Sequence, residues 1–283
     1  MSASFNVDLG SPALLEFRGP DAVRFLNGQL TQDVKRVAGQ GISLPSCVTD
    51  AKGKLQFRIY LTESPDGALW ISAPEGCAEA LEARLTRYLI ADDVEVSDLS
   101  GKYRLIHRMG SPANSGEGLV IRETSRFGAA GHDVWIPSEK SAPVDEPIVA
   151  PDDAGLEAFR ISQGVPAWGK EVTEGMLPPE ARLDATDISY HKGCYIGQEV
   201  ISRIKSAGKL NRTLEKLRFP AGSGITGGVE LWDGESVAGT ITSVSPQADG
   251  NTVDALGYVK RTADRSGLQV RTSDGQSHPV EVR

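Results

Sequence analysis

Cysteine is scarce in this chain: only Cys47, Cys77 and Cys194 occur among 283 residues. Three widely spaced thiols build no disulfide framework and fit a reducing compartment. They complete no metal site either. His191-x-x-Cys194 offers two ligands, but no second close pair finishes a tetrahedral set, so no metal is expected. Dense Lys/Arg runs are missing too, and the formal charge is -8 with a pI near 5.2. Binding driven by counterion release needs a clustered basic surface, which argues against a direct nucleic-acid partner. No window approaches the roughly 18 apolar residues of a membrane span, and Met1 to Gly10 carries no basic leader region. The expectation is a cytoplasmic protein with no membrane partner. Internal repeats and low-complexity tracts are absent.

What remains is the balance of a globular protein, with 39% hydrophobic and 24% charged residues. This length predicts two or three subdomains around a sizeable core. Leu14 and Phe17 predict a strand, and Gly19-Pro20-Asp21 leads into a helix with Ala22, Phe25, Leu26 and Leu30 on one face. Leu55, Phe57, Ile59 and Leu61 alternate with polar or amphipathic residues, as in a half-buried strand. From Pro74, residues Cys77, Leu81, Leu85 and Leu89 recur every four positions, which predicts a helix with Cys77 as core filler. Strand patterns follow at Val94 to Val96, Tyr103 to His107, Leu119 to Ile121 and Val134 to Ile136. This order implies an α+β body with antiparallel sheet. Pro137 to Pro151 reads as an exposed crossing, and a third helix through Leu156, Phe159 and Ile161 meets a C′ glycine at Gly164. Beyond Leu210, turn signals at Asp233-Gly234, Asp249-Gly250 and Asp274-Gly275 predict hairpins of a small β-barrel. The expected domains are 1–145, 146–209 and 210–283.

One stretch stands apart: Lys192-Gly193-Cys194-Tyr195-Ile196-Gly197-Gln198-Glu199. Gly193 and Gly197 bracket the thiol and allow φ > 0 and close backbone approach, as a shaped loop requires. Lys192 and His191 add positive charge, which favours thiolate. Taken alone, a cysteine of this kind is more often a small buried hydrophobe in a tight turn.

With Gly164-Val165-Pro166-Ala167-Trp168-Gly169 upstream and Arg203 downstream, the stretch resembles the signature of the YgfZ family of folate-binding proteins. These are relatives of the glycine cleavage T protein, a tetrahydrofolate-dependent aminomethyltransferase. The resemblance extends to Phe25-Leu26-Asn27-Gly28-Gln29-Leu30-Thr31-Gln32-Asp33-Val34 and is densest between Arg160 and Arg203. It implies a T-protein-like α+β fold with antiparallel sheets and a C-terminal small β-barrel. It also implies a bound tetrahydrofolate or one-carbon derivative. Residue types suited to folate are Asn27, Gln29, Thr31 and Asp33 beside the first helix, with Asp133 implied by the resemblance, for the pterin, Trp168 and Tyr195 for ring walls, and Arg160, Lys192 and Arg203 for the glutamate tail. Subdomain packing serves equally well for the two aromatic residues, and a solvated surface position for Arg203.

Two departures from the T protein matter. That family places an acidic pair after the turn of the early strand, where Gly53-Lys54-Leu55-Gln56-Phe57-Arg58 here puts Phe57 and Arg58. Without that carboxylate, aminomethyl transfer loses its evident base, typically worth about 10²–10⁴ in rate. In Phe127-Gly128-Ala129-Ala130-Gly131-His132-Asp133-Val134, which looks like the family's Thr-Gly-Glu-x-Gly-x-Glu, Ala129 replaces the first acid and Asp133 keeps the second.

The resemblance therefore implies a folate-binding accessory factor that supports iron-sulfur cluster assembly or repair in client enzymes, including tRNA-modifying ones. Cys194 is its working residue, assisted by Lys192, while Gly193, Gly197, Gln198 and Glu199 shape the loop. Its partners are the folate and iron-sulfur client or assembly proteins. The alternative is a true tetrahydrofolate-dependent C1 (aminomethyl) transferase or demethylase, with Asp33, Asp50 or Asp133 as substitute base. A scaffold with an empty pocket is a third.

Overall fold

The computed structural model describes residues 5–110, 116–140, 147–208, 210–272 and 275–283. They form two units: Met1–Pro151 with Asp184–Ser202, and Asp152–Leu183 with Arg203–Arg283. The segment expected as 146–209 contributes to both, and the expected boundary at 145/146 lies outside the described residues.

In chain order the first unit contains β1 (Phe5–Asp8), β2 (Ala13–Arg18), α1 (Ala22–Gln29), β3 (Ser43–Thr49), β4 (Leu55–Glu63), β5 (Leu69–Ala73) and α2 (Ala78–Thr86). There follow β6 (Glu95–Asp98), β7 (Tyr103–Met109), β8 (Val120–Thr124), β9 (Gly131–Pro137) and β10 (Ile148–Val149). Two five-stranded sheets result, ordered β3-β4-β5-β2-β6 and β10-β1-β7-β9-β8. All pairings are antiparallel except β1 with β10.

Burial explains the first sheet. Leu15, Phe17, Ile59, Leu61 and Ile71 pack with Leu26 of α1 and with Leu81 and Leu85 of α2. Leu14 and Trp70 form a second cluster with Leu105, Val120 and Trp135 of the other sheet. Adjacent residues Leu14 and Leu15 are thus both buried, because this sheet is covered on two faces. The Trp70 and Trp135 rings meet edge to face, 5.8 Å between centroids. The helix expected from Pro74 starts at Ala78, with Cys77 at its N-cap and Leu89 beyond its end. Cys77 is half-buried against the core, whereas Cys47 is sealed inside it.

The second unit contains α3 (Ala154–Gln163), the second half of a helix α4 (Gln198–Ala207) whose first half belongs to the first unit, and seven strands. These are β11 (Arg212–Pro220), β12 (Glu230–Asp233), β13 (Ser236–Asp249), β14 (Thr252–Lys260), β15 (Leu268–Arg271), β16 (Ser277–Pro279) and β17 (Glu281–Val282). Asp153 caps α3 by accepting from the Gly155 and Leu156 amides, and Gly164 ends it at φ 74°. The strands make one antiparallel sheet, β16-β15-β12-β13-β14-β11-β17, around Leu217, Leu231, Ile241, Val259 and Val270. Gly234 and Gly250 take positive φ at the two expected hairpin turns; Asp274 of the third lies outside the described residues.

Candidate functional site: the Cys194 loop

The segment from Asp184 to Ser202 returns to the first unit and lies along the end of α1 and the β3–β4 turn. Backbone bonds fix its path: Ser189 N–H donates to the Thr31 carbonyl and Ile196 N–H to that of Gly28. Between these points stands Cys194, the exposed cysteine of the three. Of the two flanking glycines only Gly197 uses its conformational freedom, at φ 88°. A Cβ there would lie 2.5 Å from the Asp50 carbonyl oxygen and 2.9 Å from Gly53 Cα. Gly193 has open space about its Cα.

Lys192 points inward. Its ammonium donates to the carbonyls of Asn27 (2.7 Å), in the last turn of α1, and of Leu30 (2.6 Å) and Gln32 (2.8 Å) just beyond it. All three N–H donors are thereby spent, leaving none for the Cys194 sulfur. The ammonium also stands 5.3 Å from the Tyr195 ring centroid. Burial pulls it down to about 7, against the opposing charge of Asp33. The role implied for Lys192 at the thiol therefore gives way to an anchoring one in this geometry.

Tyr195 is buried with Ile188, Ile201 and Tyr190, so its ring serves as core of the loop. Burial holds its phenol above the ordinary range. Gln198 opens α4, its amide bonded to the Tyr195 carbonyl, and Glu199 lies exposed in the first turn, where a carboxylate suits the helix dipole.

Beneath the loop is a buried polar layer. Asp187, fully buried, receives Arg58 Nε at 2.7 Å and Arg58 Nη2 at 3.2 Å, and the Thr186 hydroxyl at 2.6 Å. Burial works against the Arg58 charge, but Asp187 holds the guanidinium above its ordinary value. Thr31 is fully buried; its hydroxyl donates to the Asp187 carbonyl and accepts from Cys47 N–H. Burial and the Asp187 charge push the Cys47 thiol well up.

The remaining expected folate residues lie in various settings. Asn27 Oδ1 accepts from Val34 N–H, and Gln29 Oε1 accepts from Arg84. Asp133 is fully buried and engaged at both oxygens, by Arg126 Nε and Nη2 at 2.7 Å each and by His107 Nδ1 at 3.0 Å. Burial pushes its carboxyl up, but Arg126 and His107 outweigh this and hold it low. Arg126 also lies 3.5 Å from the Tyr60 ring centroid. In the second unit Arg160 is buried among Glu157, Glu171, Ser243 and the Val165 carbonyl, so its donors are committed. Trp168 is half-buried and Arg203 is exposed on α4. Of the residues expected for a folate, Asn27 and Gln29 carry their amides in the first unit and Trp168 and Arg203 lie in the second, while Asp133 has no free carboxylate.

Sequence reasoning missed Asp187, Arg84, Thr49 and Arg126. Arg58 carried the signal for Asp187: an arginine on a half-buried strand calls for a buried acid. Among the described residues no group of three His, Cys, Asp or Glu side chains is placed to hold a metal, and no helix is long and apolar enough to cross a membrane.

No protein-family profile matches the chain. It is 25% identical over 228 residues to the mitochondrial iron-sulfur cluster assembly factor IBA57 homolog of Phaeosphaeria nodorum, an alignment covering 74% of this chain and 54% of the relative. The chain thus spans about half the length of that curated relative. By structure it superposes on the glycine cleavage system aminomethyltransferase T of Bartonella henselae with TM-score 0.82 at 19% identity, covering 100% of this chain and 85% of the other. In fold the protein is glycine cleavage T-like, and in sequence it is similar to that IBA57 homolog.

Proposed function

We propose that this chain is a tetrahydrofolate-binding accessory protein that supports iron-sulfur cluster assembly or repair in client enzymes, tRNA-modifying ones among them, and that it acts in the cytoplasm through the Cys194 loop. The observation that carries this reading is the exposed Cys194 on a loop whose two ends are bonded to buried structure. A thiol so presented is open to a sulfur species or a protein partner. The IBA57 relative, named as an iron-sulfur cluster assembly factor, supports the same reading.

Tetrahydrofolate, when bound, would supply a carrier for a one-carbon unit. In the first unit Asn27 and Gln29 are the residues that would meet it. Cys194→Ala is expected to leave the fold intact and to lower the activity of iron-sulfur enzymes in cells relying on this chain. Client activity equal to wild type would sink the proposal. Calorimetric titration with tetrahydrofolate separates a binder from a scaffold, since binding weaker than about micromolar favours the scaffold.

The likeness to an aminomethyltransferase keeps the C1-transferase reading as the second. Against it, the resemblance puts Phe57 and Arg58 where the family carries its acidic pair, Arg58 is itself paired with Asp187, and Asp133 is ion-paired. Methylene-tetrahydrofolate formed from an aminomethyl donor at enzyme-like rates would reverse the order.

A further inference from the structure

We propose that Thr49, braced by Arg84, is a positioning residue for the Cys194 loop; its functional consequence rests on the reading above. Thr49 ends β3 and is fully buried. The β3–β4 register slips between Val48 and Thr49, so that Thr49 opposes Leu55. Irregularities of this kind re-aim a side chain out of the ladder. The Thr49 hydroxyl is accordingly free of the sheet and donates to the Ile196 carbonyl at 2.6 Å.

Thr49 is itself held from the other side. Its carbonyl accepts from Arg84 Nη2 at 2.6 Å, while Arg84 Nη1 reaches Gln29 Oε1 of α1 at 3.0 Å and Arg84 Nε reaches Gln56 Oε1 of β4 at 2.5 Å. One guanidinium therefore ties three elements together through neutral acceptors. Gly197 completes the clamp, since a Cβ there would stand 2.8 Å from the Thr49 hydroxyl.

The loop becomes an arch with two fixed feet. Lys192 sets one on the end of α1, and Ile196 with Gly197 sets the other on Thr49 and the turn at Asp50 to Gly53. Gly193, Cys194 and Tyr195 span the gap, with the Tyr195 ring as keystone and the thiol outward. Removing the Thr49 hydroxyl loosens that foot, leaving the Ile196 carbonyl without its donor while the Ile196 N–H still bonds the Gly28 carbonyl.

The test is hydrogen exchange of the intact chain, read by mass spectrometry on peptides covering 193–201, with β4 and β5 peptides as controls. Thr49→Val should speed exchange in the loop about tenfold, the worth of one net hydrogen bond, without changing the controls. Thr49→Ser, which keeps the hydroxyl, should exchange like wild type. In cells, Thr49→Val should lower client iron-sulfur enzyme activity toward the Cys194→Ala level, and Thr49→Ser should restore it. Unchanged loop exchange in Thr49→Val overturns the clamp. Faster exchange with full client activity, where Cys194→Ala has lost it, overturns the positioning role. Full activity in Cys194→Ala overturns the functional reading instead, while exchange still decides the clamp. Should Thr49→Val fail to fold, Arg84→Met, which removes the brace from outside the loop, is expected to raise loop exchange severalfold, and no rise there overturns the proposal.

Discussion

Replacing Asp187 with Asn leaves the Arg58 guanidinium in the interior without its counter-charge. The pair is fork-like, with Nε and Nη2 reaching the two carboxylate oxygens, and the Arg58 side chain is only 13% exposed and that of Asp187 0%. Breaking such a pair from one side typically costs about 3–5 kcal/mol, because a buried charge is left uncompensated. The small exposure of Arg58 gives it some access to water, which places the expected cost near the lower bound, about 3 kcal/mol. Urea denaturation, followed by tryptophan fluorescence from Trp70 and Trp135 in this unit, should show a midpoint lowered by roughly 1.5 M for a slope of about 2 kcal/mol/M. Arg58→Met with Asp187→Leu removes both charges together and should recover much of that loss, since the desolvation penalty disappears with them. A single substitution costing under about 1 kcal/mol, or a double variant as unstable as the two single losses added, would refute the assignment of this pair as a coupled buried unit.

Three further outcomes follow from the same geometry. Lys192 is drawn down to about 7 by burial from an ordinary value of 10.5, so between these values the unfolded chain holds the extra proton and stability should rise with pH; Lys192→Met should abolish that rise in urea midpoints measured from pH 7 to 10. Gly197→Ala meets both a positive φ of 88° and the Asp50 carbonyl, so a loss of about 2–4 kcal/mol and a lower melting temperature are expected; calorimetric melting checks this, and a wild-type value would contradict the close approach. His107 is lowered by burial despite Asp133, so the native state resists protonating it and stability should fall as pH drops below about 6.5; an NMR titration showing His107 charging at its ordinary value would contradict this.

Local signals carried much of the fold. The alternation along Leu55 to Leu61 gave β4, the C′ glycine at Gly164 marked the end of α3, and the Asp-Gly pairs at 233 and 249 marked two turns of the C-terminal sheet. The Cys194 motif was equally visible, because glycine, cysteine and lysine are chemically distinctive side chains. Its surroundings were not. Lys192 bonds carbonyls some 160 residues away in sequence, and a carbonyl leaves no mark on residue type. Its positive charge therefore looked available to the thiol. Arg160 looked available for a glutamate tail for the same reason, since Glu171 and Ser243 are brought to it only by the fold. The return of 184–202 to the first unit is likewise a property of long-range packing, and it is why consecutive domain boundaries could not be read from composition.

The buried acids of the first unit connect these observations to chemistry. A carboxylate serves as a general base when its oxygens are free to take a proton, whereas one held through two guanidinium donors in the interior has those oxygens committed. Asp187 is so paired with Arg58 and Asp133 with Arg126, each through two donors. The resemblance implies Phe57 and Arg58 at the place of the family's acidic pair; in the structure Arg58 is a buried cation that Asp187 neutralises. The same segment that supplies Asp187 continues into Lys192 and Cys194. One stretch of chain thus carries the acid that answers Arg58, the ammonium that seats the loop, and the thiol that the loop displays. On the proposed reading the chemistry of this unit lies with a sulfur at the surface rather than a carboxylate in the interior, and the substitution that separates the two is Arg58→Glu with Asp187→Asn. That variant should place an acid at position 58 without conferring aminomethyl transfer if the thiol loop is the working part, and methylene-tetrahydrofolate production by it would refute that reading.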